Sequence, residues 1–115
     1  MSTTTSDTSE TNSTLHHTDL SAFQIDLLTV CARLEQSKTN VKGLAIKEGL
    51  QDIYGEEINH GRLYPNLDEL ADEGLIGKDE KKIDDRTNSY RVTSRGFELL
   101  AQRRDHLTAA VDGGA

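Results

Sequence analysis

The chain has no Trp, one Pro, one Cys, two Phe and three Tyr among its 115 residues. The single cysteine, Cys31, excludes an intrachain disulfide and any multi-cysteine metal set. No apolar run approaches the ~20 residues that a membrane helix needs. The amino-terminal stretch has no basic segment followed by an apolar one, as a secretory signal would. A cytoplasmic protein with no membrane partner is therefore expected. No phosphate-binding glycine loop is present, and the four histidines and scattered carboxylates lack metal-ligand spacing. Neither an enzyme, a metal nor an organic cofactor is expected. The adjacent His16 and His17, followed by Asp19, read as solvated tail residues.

The hydrophobic fraction is 34% and the aromatic fraction 4%, so the core of this one domain must be thin. Small domains bury a low share of their surface and gain stability from a partner. An oligomer is expected on that ground alone. The 20 Asp and Glu outnumber the 13 Lys and Arg, for a formal charge of -7. Proteins that bind nucleic acid are usually basic, because phosphate contacts release counterions. An acidic, weakly aromatic surface also suits a salt-saturated cytoplasm. There the Debye length falls to about 3 Å, and repulsion at a distance is screened.

The first 18 residues are mostly Ser and Thr with little that is apolar, and a disordered tail is expected there. Ser21 to Gln24 then forms a capping box, with Leu20 and Ile25 as a hydrophobic staple. Phe23, Leu27, Leu28, Cys31 and Leu34 follow at helical spacing, and the helix should end near Gln36. A second helix is expected from Val41 or Lys42 to Tyr54, with Leu44, Ile46, Leu50 and Ile53 on its buried face and Gly55 at its end. Asn59 can cap a third helix that runs to about Glu73 on Leu63, Leu67 and Leu70. Pro65 is tolerable there if it falls in the first or second turn. Leu75–Asp79 and Ser89–Thr93 read as strands of a hairpin with a charged tip. A last helix should run from Thr93 or Ser94 to Val111.

The implied fold is α+β, mostly α: a winged helix-turn-helix of three helices and a two-stranded wing, followed by a C-terminal dimerisation helix. The divisions are a tail over 1–18, the winged domain over 19–93, the last helix over 94–111 and a frayed end over 112–115. Phe97, Leu100, Leu107 and Val111 form an apolar stripe on that helix with no later element to cover it. A twofold mate is the expected cover, and packing on the first helix the alternative for part of the stripe.

Charge is distributed unevenly along the chain. Residues 78–104 hold eight Lys and Arg against five Asp and Glu, and every other stretch is net acidic. The basic stretch coincides with the wing, where such a fold meets phosphates. Lys81, Lys82, Arg86, Asn88 and Arg91 are the candidate backbone contacts, with Lys42 and Arg95 in a second tier. The third helix carries Asn59, His60, Arg62, Tyr64 and Asn66 toward its start. Arg can read guanine and Asn adenine in the major groove. Its acids, Asp68, Glu69, Asp72 and Glu73, lie toward the other end. Tyr64 can equally well pack under the wing.

The run Ile58-Asn59-His60-Gly61-Arg62-Leu63-Tyr64-Pro65-Asn66-Leu67, with Leu70 and Glu73-Gly74-Leu75-Ile76, resembles the PadR-like transcriptional regulators. Asp85-Arg86-Thr87-Asn88-Ser89-Tyr90-Arg91-Val92-Thr93-Ser94-Arg95-Gly96 and Leu20 to Leu28 fit the same pattern. The likeness spans residues 20–104 and looks most like the haloarchaeal members. It implies a homodimer joined through the terminal helix and bound to palindromic promoter sites in double-stranded DNA. It also implies a place in an oxidative-stress response, and it accounts for a proline inside the third helix. One C-terminal helix stands where larger members carry a helical domain, so their ligand pocket is not implied.

Two other readings stay open. One is an acidic winged-helix module that binds protein and reads no bases. The other is a thiol redox sensor acting through Cys31, which lies on the apolar stripe of the first helix and otherwise reads as core. Apart from inorganic ions at the DNA interface, no cofactor is called for.

Overall fold

The computed structural model describes residues 15–38, 40–79 and 88–113. A single 3-10 turn, His17–Asp19, precedes helix α1, Ala22–Glu35. Strand β1, Val41–Lys42, leads into α2, Gly43–Tyr54, and α3, His60–Asp72, follows. Strands β2, Ile76–Asp79, and β3, Ser89–Val92, precede α4, Ser94–Val111. The strands form one antiparallel sheet in the order β1-β3-β2, with Val41 opposite Tyr90 and Ile76 opposite Val92. The architecture is a mostly helical winged helix.

Local chemistry sets the helix ends. Ser21 Oγ accepts from the Gln24 amide, and Gln24 Oε1 accepts from the Ser21 amide, both at 3.1 Å. Leu20 and Ile25 are buried on either side of this box. Asn59 Oδ1 caps α3 by accepting from the Arg62 amide at 2.9 Å. That helix ends in a Schellman motif: Leu75 N–H donates to Leu70 O at 2.9 Å and Gly74 N–H to Ala71 O at 3.0 Å. Gly74 takes φ +79°, which a side chain would oppose. Pro65 falls in the second turn, where its missing N–H leaves only the carbonyl of exposed Gly61 without its helical donor.

The core gathers around α1. Leu27, Leu28 and Cys31 are fully enclosed against Ile46 and Leu50 of α2, Leu63, Leu67 and Leu70 of α3, and Leu99 of α4. Several expectations need correction. Leu44 and Ile53 are 57% and 47% exposed, so α2 buries a narrower stripe than its apolar residues outline. On α4 the enclosed residue is Leu99, while Leu100 is half-buried. Val41 and Lys42 are a third strand beside the hairpin rather than the start of a helix.

That third strand is only two residues long, and Glu35 extends its work. Glu35 Oε2 accepts the Val92 amide at 2.6 Å and lies 3.6 Å from Cys31 Sγ. A carboxylate at the end of α1 thus holds the base of the central strand. Glu35→Ala leaves that amide without an acceptor and should cost about 1–3 kcal/mol in urea unfolding. Glu35→Gln keeps an acceptor and should cost less.

The tail boundary drawn at residue 18 runs through packed chain. Leu15 is half-buried, and its carbonyl accepts from Arg95 Nη2 at 2.6 Å. The His17 amide donates to Gln102 Oε1 at 2.9 Å. The His17 ring is buried, 4.7 Å from the His16 ring and 5.3 Å from that of His106, and its Nδ1 has no partner. These contacts reach across the chain to α4, so composition could not reveal them. Burial lowers the His17 pKa below the ordinary 6.5, and Arg103, His16 and His106 lower it further. A histidine depressed in the fold contributes stability that is complete above its unfolded pKa and fades as pH falls through the folded value. Urea midpoints should therefore drop between about pH 7 and pH 5, and His17→Gln should flatten that dependence.

Candidate nucleic-acid interface

The first turn of α3 is exposed and carries no acid. Leu63 anchors it in the core, and His60, Gly61 and Arg62 face outward. The acids collect at the other end. Burial there, with the charges of Glu69, Asp19 and Asp72, pushes the Glu73 carboxyl above its usual range.

The side chains named from sequence have different fates. Arg62 places its guanidinium over the Phe23 ring, with Cζ 3.9 Å from the centroid and 5.9 Å from that of Tyr54. His60 meets the Tyr64 ring edge-on at 5.4 Å. Tyr64 is half-buried and leans on the start of α2. A Cβ at Gly43 would come within 2.7 Å of its hydroxyl, so glycine is what admits the ring. Asn59 is exposed but spends its Oδ1 on the helix cap. Asn66 is half-buried and turned toward the protein: its Nδ2 donates to Arg62 O at 2.8 Å and its Oδ1 accepts from Gln24 Nε2 at 3.2 Å. Of the five, Asn59, His60 and Arg62 carry side-chain donors to the surface, Asn59 through its Nδ2 alone.

The wing set divides in the same way. Lys81, Lys82 and Arg86 lie outside the described residues. Arg91 is exposed at the root of the hairpin, spans Gly77 and pairs with Asp79 at 3.1 Å. A surface pair of this kind is worth about 0–1 kcal/mol and is readily exchanged for another anion. Asn88 is buried, with its Oδ1 unpartnered, and is not offered to a ligand. Arg95 is taken up by Leu15 O and by Glu98 Oε1, the latter at 2.7 Å, so it braces the amino-terminal segment instead of a phosphate. Lys42 is half-buried at the N-cap of α2.

On α4, Phe97, Leu107 and Val111 are 46%, 50% and 81% exposed. Leu100 and Leu107 line a largely apolar groove between α4 and the Thr29–Ala32 side of α1. Among the described residues no group of three or more His, Cys, Asp or Glu is placed to hold a metal ion. No helix there is long and apolar enough to cross a membrane.

Cys31 sits in the core beside Glu35. Burial, and then the Glu35 carboxylate, pushes its thiol up to about 12. A redox sensor needs thiolate and access, and this thiol has neither.

The sequence profile of the Transcriptional regulator PadR-like family matches residues 32–102. The chain belongs to the PadR-like family. The PadR-like fold seen here is similar to that of RosR from H. salinarum, in crystals grown from NaBr. That match has 43% identity and a TM-score of 0.68 over 80% of this chain and 77% of that one. A RosR complex designated RosR-S1 gives 44% identity and a TM-score of 0.69 over 82% and 78%. A PadR-like transcription factor from Bacteroides fragilis shares the fold at 18% identity, with a TM-score of 0.60 over 81% and 89%. No curated protein sequence matches the chain at a significant level. As a PadR-like regulator, the protein acts in transcription.

Sequence reasoning missed Phe23 and Tyr54 as the surface on which Arg62 rests, and Glu35 as the anchor of the wing. Residue type pointed to none of the three, because each acts through a partner distant in sequence. For Cys31, iodoacetamide in the native state should leave the thiol unmodified by mass spectrometry, and labelling should appear only in denaturant. Native labelling at a rate comparable to a free thiol would contradict the buried site.

Proposed function

We propose that this chain regulates transcription by binding palindromic double-stranded DNA as a homodimer in concentrated salt. The observation that carries the reading is the outward-facing Arg62 and His60 at the first turn of α3, with the acids of that helix at its far end. Helix N-termini of this kind enter the major groove in winged folds. Arg91 is exposed on β3, and Lys81, Lys82 and Arg86 add positive charge in the sequence that joins β2 to β3. The apolar stripe of Phe97, Leu100, Leu107 and Val111 is the surface that a second copy would cover. The net charge of -7 is no barrier at molar salt, where charges act only near contact. Inorganic ions would then bridge acidic protein surface and phosphate. The narrower role in an oxidative-stress response rests on the family resemblance, and the enclosed Cys31 offers it no thiol sensor.

The test is fluorescence anisotropy on duplexes selected from genomic fragments in molar potassium chloride. Arg62→Ala should weaken binding to the selected duplex by about 1–3 kcal/mol and leave random duplex nearly unchanged. Equal losses on both would refute base reading. The acidic total favours a second reading, a protein-interaction module, which retention of a basic protein but of no promoter fragment would select. In sedimentation, wild type should run as a dimer and Leu107→Asp as a monomer. A monomeric wild type would remove the dimer from the proposal.

A further inference from the structure

We infer that Phe23 and Tyr54 form a platform that positions the Arg62 guanidinium to read a guanine edge, which makes Phe23 a positioning residue for base recognition. The inference rests on the DNA-binding reading above and deepens it.

The two rings stand 6.0 Å apart, inclined at 43°, and the guanidinium occupies the corner between them. Tyr54 is tethered there: its hydroxyl donates to Asp26 Oδ2 at 2.6 Å. Burial and that bond push the Tyr54 hydroxyl up to about 12, so it remains a neutral donor to a charged acceptor. The backbone of Arg62 is held as firmly as its side chain. Its amide donates to Asn59 Oδ1, its carbonyl accepts from Asn66 Nδ2, and Asn66 is in turn held by Gln24, the neighbour of Phe23. The first turn of α1 therefore fixes Arg62 through two routes, one through a ring and one through an amide.

Among the described residues none accepts a hydrogen bond from the guanidinium itself. That separates this arginine from Arg91 and Arg95, whose donors go to carboxylates and a carbonyl. Stacking uses the face of a guanidinium and leaves its five N–H donors free in the plane. A surface arginine loses side-chain freedom when it docks, and one already laid on a ring has lost it beforehand. A fork whose plane is fixed in advance matches two acceptors on one rigid edge, as guanine offers with O6 and N7. A phosphate can also accept such a fork through two oxygens, and the salt slope distinguishes the two acceptors.

Two readouts test this on the full chain. By NMR, the Arg62 side-chain protons of the free protein should be shifted upfield by the ring. The shift should vanish in Phe23→Leu and survive in Phe23→Tyr. Unshifted Arg62 resonances in wild type would overturn the platform without any DNA present. The second readout compares a selected duplex with the same duplex carrying 7-deazaguanine, which lacks the N7 acceptor. Phe23→Leu should lose about tenfold of the wild-type preference for guanine, with an unchanged salt slope. Tyr54→Phe keeps the ring, drops the tether and should lose less in the same direction, which serves should Phe23→Leu fold poorly. Full discrimination in both variants overturns the platform alone. Equal loss on both duplexes with a shallower salt slope assigns Arg62 to phosphate and overturns the guanine reading. A wild type that retains no duplex, with Arg62 still ring-shifted, sinks the DNA reading and the guanine assignment together.

Discussion

The apolar stripe of α1 packs against α2, α3, α4 and the central strand, and every candidate surface is placed by that contact. Each enclosed leucine contributes about 1.5–3 kcal/mol by leaving water, and in a core this thin few are dispensable. The polar residues of the same helix aim its neighbours. Gln24 and Phe23 in the first turn hold the start of α3. Glu35 in the last turn holds the wing. Thr29 and Ala32 form one wall of the groove beside α4. One helix thus sets the relation between the amino-terminal end of α3, the paired strands β2 and β3 and the apolar face of α4.

Charge placement follows a different logic from total charge. The chain is acidic as a whole, yet the outward end of α3 is free of acids. Where salt screens fields beyond a few ångströms, long-range steering is weak and contact geometry decides. That gives weight to side chains held in position. Arg62 rests its side chain on two rings and has its backbone hydrogen-bonded, while Arg91 is held by a single exposed carboxylate.

Features set by near neighbours were legible in the sequence. The capping box at Ser21, the Asn59 cap, the glycine ends at Gly55 and Gly74 and the hairpin strands follow from local hydrogen bonding. The resemblance over residues 20–104 agrees with the profile match over 32–102. What sequence obscured depends on contacts between distant residues. Asn66, Asn88 and Arg95 have the chemistry of DNA contacts, but Gln24, burial and Leu15 respectively claim them. His17 has the look of a tail residue and is buried against α4. Two-residue β1 is too short to show a period, and its pairing with β3 is visible only in three dimensions.

Thr93 has a consequence for motion. Its hydroxyl caps α4 through the Gly96 amide and also donates to the carbonyl of Gly74, while its own amide donates to Leu75 O. The end of α3, the foot of the hairpin and the beginning of α4 meet at this residue as a welded corner. Should α4 swing, α3 swings with it as the other arm of a lever. In a pair of chains joined along α4, the angle at which the two helices cross would then dictate the distance between the two α3 tips, and with it the half-site spacing they can span.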